Sequence, residues 1–299
     1  MLDKFKGLFG SSGSGSPAGR RRVVLSERFE FVEKTSQGSM SRVHRAMDKK
    51  TGKSVCIKIQ IKEKNEAAAS RSEDRPGEGA ISFQIHSPYV ASTYEYGTTR
   101  EDEQYLVMEY VDGVSLEEVR VSMKVGLRAK AKLVARAAEG FADIHQAGFI
   151  HHDINPRNIL VNKQNQIKII DFGLAVPNLP AFHRPGNRTG ALPYMAPELI
   201  RREFTDERLD IFAFGAVAFE LLTDRLPFEA SGGNSMAMML NRINHDAMDP
   251  AEANPKLSDE YCEILRKTLA RRKEDRWPSM RSLAERLKVA PVRRDDPSI

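Results

Sequence analysis

Cysteine is nearly absent: Cys56 and Cys262 are the only two in 299 residues. Two thiols cannot build a disulfide framework, so a reducing cytoplasm is the expected compartment. Long hydrophobic runs are missing too. No apolar stretch has the length of a membrane-spanning helix, and none has the form of a secretory h-region. There is no internal repeat and no arginine-and-aromatic pattern of the kind that reads nucleic acid, so a nucleic-acid partner is not expected. Charge of one sign is barely in excess, with 46 Lys and Arg against 41 Asp and Glu, a net +5. That surplus helps attract an anionic ligand such as a nucleotide, although scattered surface Lys and Arg account for most of it. What remains is an ordinary globular composition, 40% hydrophobic and 29% charged. The chain is long enough to bury one large core or two lobes.

The first 27 residues stand apart. "SSGSGSPAG" at 11–19 has the composition of a flexible linker, and "RRR" at 20–22 adds a basic cluster. Before it, Leu2, Phe5, Leu8 and Phe9 recur at near-helical spacing beside Lys4 and Lys6. A flexible tail is the preferred reading of residues 1–27, with a peripheral contact of residues 1–10 to an anionic membrane or a partner as the alternative. Leu2 excludes N-myristoylation, which requires glycine there.

From Arg28 the pattern is strand-like: "RFEFVEKT", "RVHRAM", a "DKKTGK" turn and "SVCIKIQI", then "TYEYG" and "QYLVMEYV". After "DGVS" it turns helical. Leu133, Val134, Ala137, Phe141 and Ile144 fall at helical intervals within 127–149, and Gly148 marks a stop. The stretch 208–222, "RLDIFAFGAVAFELL", is apolar nearly all round and predicts a buried central helix. Strands followed by helices imply an α+β chain with two lobes.

Three polar residues draw attention within "FIHHDINPRNILV" and "IKIIDFG". Asp153 offers a carboxylate able to orient a hydroxyl and accept its proton, and Asn158, five positions on, offers an amide oxygen suited to Mg²⁺. Structural turns also favour Asp and Asn, so this loop alone decides nothing. Asp171 ends an apolar run, where a buried carboxylate needs a cationic partner, and a metal is a natural one. Upstream, "TSQGSMSRV" (35–43) between two strands has small residues that let backbone N–H groups approach a polyphosphate, as any hairpin tip also would. Lys58 within an alternating strand and Glu78 at the start of "EGAISFQI" are ordinarily solvated surface residues, with mutual pairing as the alternative.

In chain order these stretches resemble the protein kinase signature set, in which a lysine, a catalytic-loop Asp and Asn, and a metal-binding Asp share the work of phosphoryl transfer. "VCIK" resembles the third-strand lysine motif, "HHDINPRN" the catalytic loop, "DFG" the metal motif and "YMAPE" the end of the activation segment. Asp210 in "LDIFAFG" and Arg276 in "EDRWPS" extend the match from about Arg28 to Leu287. The resemblance implies a bilobal kinase fold over 28–288, with a β-rich N-lobe at about 28–108, a helical C-lobe at about 114–288 and a C-terminal tail at 289–299. It implies ATP with Mg²⁺ or Mn²⁺, and a protein substrate phosphorylated on serine or threonine. Lys58 would hold the phosphates and pair with Glu78, and Asp153 would be the catalytic base. Asn158 and Asp171 would bind the metal. Ser36, Gly38 and Ser41 would form the phosphate loop. Val43, Cys56 and Leu160 would enclose the adenine, with Met108 at the gatekeeper position, and the backbones of Glu109 and Val111 would recognise the adenine. Arg276 would pair with Glu198.

Several positions depart from that pattern. The phosphate loop keeps only its middle glycine, Gly38, between serines 36 and 41, which implies weakened nucleotide affinity. His152 stands where an arginine usually gathers an activation-segment phosphate, so activity independent of Thr189, the segment's only hydroxyl residue before Tyr194, is expected. Asn155 replaces a lysine two positions after Asp153, and Ala191 replaces a threonine. Arg157 is the expected substitute for the missing charge. Ser82, one turn after Glu78, replaces a large apolar residue and is expected to loosen the helix that carries Glu78. These departures keep open a second class of function, a pseudokinase scaffold that binds nucleotide or partners without turnover.

Overall fold

The structure, a computed structural model, describes residues 22–37, 41–61, 75–184, 189–228 and 235–293, the side chains of residues 34–37 excepted. The expected tail residues 1–21 and 294–299, and Gly38 of the expected phosphate loop, lie outside that set. The chain divides into two compact units, one formed by Met1–Ile85 with Ala91–Val111 and the other by His86–Val90 with Asp112–Ile299.

The first unit is built on an antiparallel sheet of five strands in the order β1-β2-β3-β5-β4, made of β1 (Phe29–Gln37), β2 (Ser41–Asp48), β3 (Lys53–Gln60), β4 (Thr93–Thr98) and β5 (Gln104–Glu109). Hairpins place β1, β2 and β3 side by side and β5 beside β4, whereas the long connection from Gln60 to Thr93 carries the chain past β5's position, so β3 pairs with β5 and β4 lies at the edge. One short helix, α1 (Leu25–Arg28), precedes the sheet, and a second, α2 (Glu78–Ser82), lies between β3 and β4. Alternate residues of the strands point inward: Phe29, Ala46, Val55, Ile57, Ile59, Tyr105 and Val107 form one apolar cluster with Leu25. Arg28 fastens the edges by donating to both Asp48 oxygens (3.2 and 2.9 Å) and to Glu95 (2.6 Å).

The second unit is mostly helical. It contains α3 (Leu116–Ser122), α4 (Leu127–Gln146), α5 (Pro197–Arg201), α6 (Arg208–Thr223), α7 (Ser235–Asn244), α8 (Pro250–Ala253), α9 (Asp259–Thr268) and α10 (Met280–Val289). A small sheet of β6 (Gly113–Ser115), β8 (Ile159–Asn162) and β9 (Ile167–Ile169) accompanies a two-stranded pair of β7 (Phe149–Ile150) and β10 (Val176–Pro177). Helix α6 is buried on every side, as its mostly apolar sequence requires, with Phe212, Phe214 and Phe219 each essentially inaccessible. Each such side chain contributes roughly 1.5–3 kcal/mol by leaving water. Helix α4 stops at Gln146, and Gly148 follows with φ +89°, the left-handed residue that glycine allows. Inside α4, Gly140 has a packing reason: a Cβ there would lie 2.6 Å from Ile169 Cδ1 and 2.8 Å from Tyr89 Cβ. β9 therefore approaches the helix more closely than any side chain at 140 would permit.

Candidate active site

The first unit brings several of the expected residues together. In the register of β2, β3 and β5, Val43 lies opposite Lys58, and Cys56 lies opposite Met108. Residues 56 and 58 share a face because strand side chains alternate, so all four occupy one face of the sheet. Lys58 Nζ donates to Glu78 Oε1 at 2.7 Å, and Gln60 Nε2 donates to Glu78 Oε2 at 2.9 Å. Both Lys58 and Glu78 are buried, which corrects the surface reading that either residue alone suggests. Burial pushes the Cys56 thiol up to about 11 despite nearby Lys58, so it is a protonated, apolar-like side chain at neutral pH. Ser41 is buried; the Ser36 side chain and Gly38 lie outside the described residues. Glu109 N donates to Ser92 O (2.8 Å), which ties the end of β5 beside the start of β4, and Val111 follows as a half-buried residue.

The helix that supplies Glu78 is short. α2 ends at Ser82, whose buried hydroxyl turns back to the Gly79 carbonyl at 3.4 Å. A serine bonded to its own helix contributes little packing. Hydrogen exchange of the amides of residues 79–83 in the free protein should therefore be fast for a buried helix, and should slow on adding ATP and Mg²⁺. Strong protection in the free protein would refute this expectation.

In the second unit, the loop after β7 carries Asp153 and Asn158. Its shape is set from below by Asp210, fully buried in α6, which accepts from His151 N (2.7 Å), His152 N (3.0 Å) and His145 Nε2 (2.9 Å). These bonds hold His152 at φ +64°, a conformation that a non-glycine residue adopts at a cost of the order of 1 kcal/mol. Burial alone would raise the Asp210 carboxyl. The hydrogen bond from His145 is the leading opposing influence, and the carboxyl is held below its usual range. A depressed carboxyl contributes stability above its ordinary value and loses that contribution as pH falls through its folded value. Asp210→Asn should accordingly flatten the fall of Tm with acid below about pH 4; an unchanged acid limb would place that sensitivity elsewhere.

Asp153 is held on three sides. Its Oδ1 accepts from Ala191 N (3.1 Å), its Oδ2 from Asn158 Nδ2 (3.0 Å), and its carbonyl from Asn158 Nδ2 (2.9 Å) and Asn155 Nδ2 (3.1 Å). Asn155 also accepts from Arg157 N (3.0 Å), capping the single 3₁₀ turn Pro156–Asn158. Asn155 is thus part of the loop's scaffold. The expectation that Arg157 replaces the missing charge is corrected: its guanidinium, largely solvent-exposed, pairs with Glu117 at 2.6 Å.

Asn158 and Asp171 stand at adjoining strand ends. Ile159 of β8 faces Ile169 of β9, and Ile170 N donates to Asn158 O (3.0 Å). Asp171 has φ +65°, and its Oδ1 accepts from Gly173 N (3.0 Å), so the turn itself aims the carboxylate. Leu160 lies in β8 between β6 and β9. Among the described residues no cluster of three or more His, Cys, Asp or Glu side chains is positioned for a metal. The pair fits a hard divalent cation nonetheless. Both hydrogen bonds of Asn158's amide are donated by Nδ2, which leaves its oxygen available to a cation, and two protein oxygens are the usual complement when phosphates and water supply the rest.

The segment after the DFG turn returns to this loop. Gly190, at φ +91°, leaves no room for a Cβ, which would lie 2.7 Å from His152 O. The next residue, Ala191, makes the bond to Asp153. Tyr194 then donates to buried Glu220 (2.7 Å), and Arg120 approaches the other Glu220 oxygen (3.3 Å). Glu198 and Arg276 form a two-pronged buried pair at 2.7 and 2.8 Å. Sequence reasoning identified Asp210, Glu198 and Arg276, but missed His145, Glu220 and Arg242. Each of these lies on a helix: His145 and Arg242 read locally as ordinary polar positions, and Glu220 as an isolated charge in an apolar run.

A fold with a five-stranded first unit, a helical second unit and this loop pair defines the protein kinase class. The protein kinase domain model matches residues 29–287, and the chain belongs to that family. It is similar to serine/threonine-protein kinase PknB of Mycolicibacterium smegmatis, 30% identical over 264 residues, 85% of this chain and 41% of the relative. The Mycobacterium tuberculosis PknB is 29% identical over 264 residues, again 85% of this chain and 41% of the relative. PknB of Mycobacterium leprae is 27% identical over 259 residues, with the same shares. The chain thus spans about two fifths of the length of these relatives.

Proposed function

We propose that this protein is an active kinase that transfers the γ-phosphate of ATP to serine or threonine hydroxyls of a protein substrate in the cytoplasm. The observation that carries the reading is the Asp153 carboxylate, fixed by Ala191 N and Asn158 Nδ2 on a loop suspended from buried Asp210. A carboxylate so restrained can align an acceptor hydroxyl and take its proton late in transfer, when the oxygen becomes acidic. Lys58, held by Glu78, presents a cation for the α- and β-phosphates. Asn158 and Asp171 would hold Mg²⁺ or Mn²⁺, which supplies charge neutralisation on the phosphates when bound. The remaining assignments follow the resemblance: Ser36, Gly38 and Ser41 would line the phosphates, and Val43, Cys56, Met108, Glu109, Val111 and Leu160 the adenine. The similar PknB proteins are themselves named serine/threonine-protein kinases.

The test is transfer of label from γ-labelled ATP to a generic protein acceptor, with Asp153→Asn beside it and identification of the labelled residues. Label on serine or threonine that disappears in the variant supports the reading. The alternative, a pseudokinase scaffold, draws on Asn155, whose buried amide braces the loop where a cation would otherwise stand. ATP binding to folded protein without any transfer would favour it.

Phosphorylation of Thr189 is not required in this reading. From residue 191 onward the segment is held by groups that carry no phosphate: Ala191 N on Asp153, Tyr194 on Glu220 and Glu198 on Arg276. His183 is likewise bonded to Asn178 Oδ1 (2.8 Å), and its carbonyl accepts from Thr205 N (2.9 Å). Thr189→Ala should keep transfer within about twofold of the parent, a difference of about 0.4 kcal/mol in barrier. Abolished transfer in a folded variant would reverse the conclusion.

A further inference from the structure

The side chain least expected from the sequence is Arg242 of α7. It is 1% exposed, and it pairs with no acidic side chain among the described residues. A buried guanidinium without a carboxylate is expensive to keep, so its hydrogen bonds show what it is for. Nη1 donates to Leu192 O (2.6 Å) and Met195 O (3.2 Å), and Nη2 donates to Pro193 O (2.9 Å). The Phe228 ring closes the other side, with its centroid 5.3 Å from the guanidinium carbon. Around these bonds Met239 and Ile243 of the same helix pack against Met195, Leu199, Ile200 and Leu192.

The three carbonyls belong to the turn Leu192–Tyr194 and the residue after it, immediately following Ala191. Ala191 N donates to Asp153 Oδ1, and a small cavity bordered by His152, Asp153, Thr189, Gly190, Ala191 and Met195 opens at the same place. We propose that Arg242 is a positioning residue for the protein acceptor: it fixes the 192–195 turn, and through it Ala191, so that an incoming chain meets a preformed surface beside Asp153. The proposal rests on the kinase reading, and it assigns to α7 a role that neither the nucleotide-handling residues nor the Glu198–Arg276 pair fulfils. Because the guanidinium's hydrogen bonds all go to backbone carbonyls, its grip does not depend on the side chains of the turn. Lysine cannot reproduce it, since a single ammonium lacks the planar fork that reaches three acceptors.

The experiment compares the intact parent chain with Arg242→Lys, Arg242→Met and, as a control on the same helix, Leu240→Ala, which is half exposed. With casein as acceptor, KM for casein should rise about tenfold or more in both Arg242 variants, as expected for losing hydrogen bonds from a charged donor. KM for ATP should stay within about twofold, a change too small to matter energetically. Hydrogen exchange should accelerate across residues 190–196 and not across α6, and Leu240→Ala should change neither readout. An unchanged KM for casein, or ATP parameters that deteriorate in parallel with it, would overturn the proposal. If the parent itself transfers no phosphate, the kinase reading fails separately, and the exchange pattern still decides whether Arg242 anchors the turn: acceleration confined to 190–196 supports it, and none refutes it. Should Arg242→Met not fold, Arg242→Lys carries the same comparison.

Discussion

Asp153→Asn lowers phosphoryl transfer by about a thousandfold, in the middle of the 10²–10⁴ range that a positioned general base contributes. Geometry is the reason. Both carboxylate oxygens are engaged by donors, Ala191 N and Asn158 Nδ2, so the group is oriented before any substrate arrives. Asparagine keeps the size and one acceptor oxygen, and that oxygen can still take the Ala191 hydrogen bond. It cannot take a proton from a hydroxyl, and its NH₂ group would face the NH₂ of Asn158. Fold and ATP affinity should therefore change little while the rate collapses. Circular dichroism and ATP titration of the same preparation check the first half, and single-turnover transfer checks the second. A variant that transfers at the parental rate would remove Asp153 from the chemistry.

Arg276→Met should be the most destabilising of the substitutions considered, by about 3–5 kcal/mol, the usual consequence of breaking a buried ion pair by deleting one partner. The Arg276 side chain is completely enclosed and the Glu198 side chain nearly so. Beyond its two contacts with Glu198, the guanidinium donates to three carbonyls, those of Ala270, Arg208 and Arg271. Removing it strands a carboxylate and three acceptors in a site lined by Phe212, over whose ring the guanidinium lies at 4.8 Å. For a chain of this size the expected fall in Tm is roughly 10 °C. The double variant Glu198→Gln/Arg276→Met should regain part of that loss, because the stranded charge is then absent. A loss below about 1 kcal/mol would show that the pair has access to water in solution.

The elements most legible in the sequence were those whose pattern is local. Helix α6 announces itself because an apolar run of that length fits only a buried helix, and α4 because its apolar residues recur every three or four positions before Gly148. The strands of the first sheet alternate clearly. Asp153, Asn158 and Asp171 were legible because their motifs fix residue types at fixed spacing. The partners of these residues were less legible, because tertiary contacts decide them. Nothing near Arg157 indicates that Glu117, forty positions earlier, takes its charge, so the sequence suggested a role at the reaction centre that the side chain does not fill. Arg242 is likewise 50 residues from Leu192, and an arginine on an amphipathic helix ordinarily faces water. The shortness of α2 could not be read either, because "EGAISFQI" carries no stop signal, although the helix ends at Ser82.

The imidazole of His151 has a use that follows from its neighbours alone. Asp153 N lies 3.2 Å from Nδ1, and an amide can only donate, so Nδ1 is the bare nitrogen and the ring proton sits on Nε2, directed at Ile170 O at 3.3 Å. The ring is wedged between Phe141 and Phe172 and is fully enclosed. One heterocycle therefore bridges the turn before Asp153 and the turn before Asp171, frozen in a single tautomer. Isotope labelling of histidine would turn it into a built-in spectroscopic gauge: two widely separated ring nitrogen resonances while the turns stay in register, converging when either one lets go.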